Sequence, residues 1–214
     1  MQRRSFLGIP VSLAFLSVCA AADRVDFKVV LKVDKKTVAE MNLTIEGDSA
    51  IVRVEEETER YDLKDMSWLD EETGRRITIA QAKEWAAQSK AKALKNLDSA
   101  PADIRQFLSW SLEPTFKVSK SENVLRLTSG QVDYVIEGEA SRASVDGYYR
   151  YAVLNSYRKA MTLKKAPPFA ELKALEEMKA LGRIPQRMSV TMPGVPKAPA
   201  FDIEIRETKQ SGGR

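Results

Sequence analysis

From Asp23 onward, apolar and polar residues alternate. Phe27, Val29, Leu31 and Val33 share one face, and Asp26, Lys28 and Lys32 share the other. A period of two marks a half-buried strand. After Asp34-Lys35-Lys36 the alternation resumes, with Met41, Leu43 and Ile45 inward against Asn42, Thr44 and Glu46 outward, and Gly47-Asp48 closes a hairpin. The same reasoning predicts a strand over Ala50–Glu55 and another over Tyr61–Leu69. The turn-rich Asp70-Glu71-Glu72-Thr73-Gly74 follows, with Gly74 supplying a left-handed position, and Arg75–Ile77 returns as a short strand.

At Thr78 the period changes. Thr78-Ile79-Ala80-Gln81 is a capping box, in which the threonine hydroxyl and the glutamine side chain each satisfy the other residue's backbone amide. The helix it opens has a narrow apolar face of Ile79, Ala82, Ala86, Ser89, Ala93 and Leu97, with Lys83, Glu84, Lys90 and Lys95 toward water. Ser99 is the expected cap of a second short helix, with Pro101 in its first turn and Glu113-Pro114 as its stop. Strand patterns then return at Phe116–Ser119, Val124–Ser129, Gln131–Gly138 and Tyr148–Tyr157, punctuated by Ser129-Gly130 and Asp146-Gly147. Pro167-Pro168 opens a third helix, along which Phe169, Leu172, Leu175, Met178 and Leu181 recur until Gly182 and Pro185 end it. Arg187–Met192 and the alternating Phe201–Arg206 are the last two strands, separated by the proline-rich 193–199 loop.

Strands, then helices, then strands again predict an α+β fold. The expected architecture is a curved, half-barrel-like antiparallel sheet, with helices inserted between two strand blocks and packed on one face. The two blocks read as halves of one sheet. One domain over 23–208 is expected, with a loose polar tail over 209–214.

The residues before that domain read differently. Arg3 and Arg4 precede a stretch from Ser5 to Ala22 without a charge, and Ala20-Ala21-Ala22 offers a small-residue cleavage site after Ala22. This is the layout of an export signal, too short and too interrupted by Gly8 and Pro10 for a permanent membrane span. Arg3-Arg4-Ser5-Phe6-Leu7 resembles the twin-arginine pattern, and the general secretory route is equally compatible. Cys19 follows Val18, which does not suit lipid attachment. The expected location is therefore the periplasm or the exterior.

Export alters the composition that matters. The whole chain carries +4, and residues 1–22 hold two arginines and no acid, so the mature chain carries +2. That balance lacks the dense basic stripe nucleic-acid binding requires. Cys19 is the only cysteine and there is no histidine. Thiol nucleophiles, disulfides, imidazole bases and Cys/His metal sites are excluded from the mature chain, and no cofactor is expected.

Carboxylates remain as acid/base candidates, densest at Asp70-Glu71-Glu72 and at Glu55, Glu56, Glu57 and Glu59. A hydrolytic pair needs two carboxyls on separate elements, roughly 5 to 9 Å apart across a cleft, whereas these sit side by side at turns or edges. Neither Ser89-Lys90 nor Ser119-Lys120 can share a proton, because adjacent residues point to different sides. Aromatic residues carry the remaining signal. Trp68, Trp85 and Trp110 lie near the sheet-to-helix junctions, and Tyr149 and Tyr151 share a face with Val153 on the expected Tyr148–Tyr157 strand. These five aromatics are the candidate lining of an apolar ligand groove between sheet and helices, although ordinary core packing uses the same residues.

Three segments carry a family resemblance: the exported start, the Tyr61–Ile77 hairpin running straight into the Thr78 helix, and Pro167-Pro168 opening a late helix. In this order the chain resembles the outer-membrane lipoprotein-sorting fold, a family of periplasmic lipid carriers, over most of Asp23 to Thr208. It is also similar to a group of uncharacterised secreted bacterial proteins. The resemblance rests on topology and transfers no functional residue. It implies an apolar groove that holds acyl chains, or another hydrophobic small molecule, without catalysis. The alternatives are a carboxylate-dependent envelope hydrolase, and an interaction subunit docking through an edge strand or the 193–199 loop.

Overall fold

The computed structural model describes residues 24–208, except Arg142, Pro196 and the side chain of Asp103. The expected export signal, with Arg3, Arg4 and the expected cleavage site at Ala22, and the 209–214 tail lie outside the described residues. Eleven strands form one open antiparallel sheet: β1 (Arg24–Val33), β2 (Lys36–Glu46), β3 (Ser49–Val54), β4 (Glu57–Asp62), β5 (Ser67–Asp70), β6 (Arg75–Thr78), β7 (Lys117–Lys120), β8 (Val124–Thr128), β9 (Asp133–Glu139), β10 (Ile184–Thr191) and β11 (Phe201–Thr208). Their spatial order is β6-β5-β4-β3-β2-β1-β11-β10-β9-β8-β7. The two blocks are thus halves of a single curved sheet, joined where β1 pairs with β11 from Asp26↔Thr208 to Val33↔Phe201. The helices are α1 (Ile79–Asn96), α2 (Ala102–Leu112), α3 (Val145–Thr162) and α4 (Phe169–Leu181).

Alternation along β1 and β2 survives folding. Val25, Phe27, Leu43 and Ile45 are buried, while the other face carries an exposed lattice of charges such as Lys28–Glu40 at 2.7 Å. At the β1–β2 turn Asp34 and Lys35 both take positive φ, the twist that a two-residue hairpin requires. Asp34 is fixed there by backbone and side-chain hydrogen bonds to Ala200, at 2.9 and 3.0 Å. The capping box at Thr78 is present with both hydrogen bonds, and Gly182 ends α4 in the left-handed conformation.

Four expectations need correction. Tyr148–Tyr157 is the middle of α3 and not a strand. Ser144 accepts a hydrogen bond from the Gly147 amide, so Asp146-Gly147 forms the helix's first turn where a hairpin turn was expected. β-Favouring Tyr and Val yield to burial. Helical winding turns Tyr148, Tyr151 and Leu154 to one side, where Tyr148 meets Phe27 of β1 and Tyr151 meets Tyr61 of β4, edge to face. Tyr149 therefore does not share a face with Tyr151.

Tyr61–Leu69 is not one strand but the end of β4 and most of β5, joined by a turn over 63–66 that Asp62 Oδ1 holds by accepting from the Asp65 amide at 2.9 Å. Ser99 belongs to a short 3-10 turn and donates back to the Asn96 carbonyl, leaving Pro101 at the N-cap of α2. Finally, β10 begins at Ile184 and absorbs Pro185 at a register shift opposite Gly138.

Candidate functional site

Cover over the central strands is graded along their length. Along β1 burial falls off with distance from the α3 N-terminus: Phe27 and Val29 are buried, Leu31 and Val33 half-buried. Neighbouring strands repeat the gradient, with Leu43 and Ile205 buried beside half-buried Met41, Ile203 and Met188. Between this apolar surface and the helices α3 and α4 lies a recess of about 110 Å³.

Its helix wall is a single stripe of α3, consisting of Tyr148, Tyr151, Ala152, Asn155 and Lys159, facing Glu171 and Leu175 of α4. The spacing follows helical geometry, since positions three, four, seven and eleven residues apart recur on one side. The stripe changes character along its length. Tyr148 and Tyr151 are buried phenols, with pKa values pushed up by desolvation first. Lys159 at the other end is exposed at the edge of the recess. Its pKa is lowered, by desolvation first, against the opposing pull of the Glu171 carboxylate. The Lys159 side chain makes no hydrogen bond or ion pair with another described residue. The buried Ser156 hydroxyl lies 2.8 Å from both Glu171 Oε1 and the Ala152 carbonyl, so its one proton goes to either acceptor.

Asn155 links the recess to a polar cluster behind α3. The Tyr61 hydroxyl lies 2.8 Å from Glu59 Oε2 and 3.1 Å from Asn155 Oδ1, so its one proton goes to either acceptor. Arg158 Nε donates to the Tyr61 oxygen at 2.8 Å, and its other nitrogen pairs with Glu59. Desolvation is the first cause that raises the Tyr61 pKa. Among the described residues no buried side-chain nitrogen or oxygen lacks a partner, as burial requires.

A larger depression of about 560 Å³ lies on the charged side of β3–β6. Arg60, Lys64 and Arg76 face Glu46, Asp48 and Asp62 across it, and Arg76 is committed to Asp62 at 2.9 Å and Ser67 at 3.2 Å. Its charges are matched and it is wide open, so it selects neither sign of ligand. Where carboxyl shifts are resolved among the described residues, at Asp26, Asp62, Glu113, Asp146 and Glu204, all are downward. Among the described residues no group of His, Cys, Asp and Glu side chains is placed to hold a metal ion. No helix among them is long and apolar enough to cross a membrane.

The five aromatics expected from sequence do not form one wall. Tyr151 lines the recess. Trp68 is buried on β5 opposite Tyr61, and Trp85 is half-buried on α1. Trp110 of α2 belongs to a separate aromatic run with Phe107 and Phe116, and Phe116 in turn contacts Tyr134. Tyr149 sits away from the sheet beneath the Lys179 ammonium, 4.5 Å from its ring centre. Sequence reasoning missed Asn155, Lys159 and Glu171. Reading 148–159 with a helical period would have aligned the first two with Tyr148. No family model matches the chain, and no curated protein matches it either.

Proposed function

We propose that this is an exported, non-catalytic binding protein that holds a hydrophobic or amphipathic small molecule in the recess between the central strands and α3/α4. The observation that carries this reading is the recess itself: an apolar surface left half-covered in the middle of the sheet. On this reading the curved sheet is a half-barrel with its helices on the concave side, as in the periplasmic lipid carriers that the chain resembles. Export follows from the Arg3–Ala22 segment.

A recess of 110 Å³ takes one small ring or the end of a chain, by comparison with apolar cavities of about 150 Å³ that bind benzene. A longer chain would continue over half-buried Leu31, Met41, Met188 and Ile203, toward Val33 and Phe201. Each methylene laid there contributes about 0.8 kcal/mol, so binding requires no catalytic group.

The test is native mass spectrometry of protein purified from an exporting host, with solvent extraction of the bound fraction and titration of the stripped protein with n-alkyl amphiphiles. A co-purifying apolar ligand, and affinity that climbs with chain length before levelling off, are the expected results. Absence of any ligand together with no uptake at any chain length would overturn the proposal.

A further inference from the structure

The sheet has a gap inside it. β4 and β5 pair only at Tyr61↔Trp68 and Asp62↔Ser67, although Glu57–Arg60 continues β4 on one side and Leu69-Asp70 continues β5 on the other. Each strand is fully laddered to its other neighbour, β4 to β3 from Ser49↔Asp62 to Val54↔Glu57 and β5 to β6 from Ser67↔Thr78 to Asp70↔Arg75. Local hydrogen bonds explain the divergence. Asp62 fixes the closed end through the Asp65 amide. Asp70 is held in the tight turn to β6, its carbonyl accepting from the Gly74 amide at 2.8 Å and its carboxylate from the Thr73 hydroxyl. β5 therefore follows β6 and leaves β4.

Alternate residues of Glu57–Arg60 point their backbone N–H and C=O groups into this gap, which makes an unpaired strand edge in the interior of a sheet. Arg60, Trp68 and Leu69, at the end of the ladder, border two hollows at once. One is the 560 Å³ depression, and the other, of about 180 Å³, reaches Arg158 and Thr162 at the end of α3.

The two faces of the gap differ in charge. Glu59 and Tyr61 face α3, where they meet Arg158 and Asn155, so Glu57 points the same way and Arg60 the opposite way. Across the gap Asp70 shares the face of Trp68, and Leu69, 48% exposed, shares the face of Arg60. Glu71 and Glu72 of the adjoining turn complete an acidic flank on the α3 side. Arg158, the cation there, is already paired with Glu59, and Glu57, Glu71 and Glu72 make no ion pair with a described residue.

A bare strand edge takes an extended segment through main-chain hydrogen bonds, and a charged flank on one side selects every second side chain. We infer that the gap binds an extended peptide segment of a partner protein, added as a strand along Glu57–Arg60. Lys or Arg at alternate positions turns to Glu57, Glu71 and Glu72, and uncharged side chains turn to Leu69. The site is separate from the recess between the central strands and α3/α4, and does not rest on it.

End-labelled peptides titrated into the full chain at neutral pH, followed by fluorescence anisotropy, test both the strand and the charge pattern. A peptide alternating lysine and threonine should bind and slow amide exchange at Thr58 to Arg60. Glutamate in place of every lysine should weaken binding by about tenfold or more, and grouping the same lysines at one end by about threefold. N-methylation of either all lysine or all threonine amides blocks one edge of the peptide, so at least one of these two should lose about tenfold. Glu71→Gln with Glu72→Gln, in an exposed turn where folding tolerates it, should lose about fivefold for the alternating peptide. No binding at millimolar peptide, equal binding by both N-methylated peptides and the parent, or unchanged affinity in the double variant would each overturn the inference. None of these outcomes bears on chain uptake by the recess.

Discussion

Helices α1 and α3 are both 18 residues long, but α1 buries two residues, Ala82 and Ala86, and α3 buries seven. They are held in place by different physics. α1 is made of strong helix formers, Ala, Lys and Gln, and is started by a complete capping box, so its order is largely local. α3 is built from Tyr, Val, Ser and Asn, which do not favour an isolated helix, and it exists because its rings and Leu154 fill the space against β1 and β4. The locally stable helix is therefore peripheral, and the locally unstable one forms the wall of the recess.

That contrast can be broken by paired truncations. Leu154→Ala, at a fully buried site, should cost about 3 kcal/mol in denaturant unfolding, whereas Leu94→Ala on α1, 47% exposed, should stay within about 0.5 kcal/mol. Equal costs would mean that α1 is as integral as α3. Arg158→Met should come next, at about 2 kcal/mol, because it leaves the half-buried Glu59 carboxylate without its cation. Adding Glu59→Gln should recover part of that loss, and additive losses would contradict the coupling.

Thr78→Ala removes the cap of α1 and should cost about 1 kcal/mol. Hydrogen exchange sharpens the comparison here. Amides of α1 should exchange faster in this variant while those of α3 stay protected; faster exchange in both would show one cooperative unit.

The smallest effect concerns the tie between α3 and α4. Asp146 is held below the usual carboxylate range, first by a hydrogen bond from Lys179 and then by Arg150. A depressed folded-state pKa gives stability that is complete above the unfolded aspartate value and lost as pH falls through the folded one. Asp146 and Lys179 are each 45% exposed, so Asp146→Asn should cost only about 0.5 kcal/mol at neutral pH and nothing once the carboxyl is protonated. A constant difference between the two proteins across an acid titration would contradict this.

The same contrast explains which parts of the fold were readable in the sequence. Thr78 and Gln81, the alternation of Phe27 to Val33, and Gly182 act on their immediate neighbours, so local rules found the elements they define. The joining of two strand blocks was also foreseeable, because Phe201–Arg206 alternates like a strand that needs a partner. α3 was not, because Tyr148 to Tyr157 satisfies both a strand propensity and a helical burial pattern, and only the shape of the sheet decides between them. That one misreading concealed the recess. With a period of two, Tyr151 sits beside Tyr149; with a helical period it aligns with Asn155 and Lys159. Glu171 arrives from another helix altogether, at a separation no local pattern encodes.

The β1–β11 seam has a consequence for the order in which the chain can be finished. β1 is among the first strands synthesised, but one of its two edges stays bare until Phe201–Thr208 has been made and has travelled back across 182 residues, as the Thr208–Asp26 hydrogen bond requires. Most hairpins in the sheet close as soon as they emerge; this pairing cannot, so completion belongs with slow, long-range β closure. A chain cut short before residue 201 would expose the middle of its sheet instead of a margin. Such a fragment presents a long unpaired edge rich in Val and Leu, ready to pair with another copy.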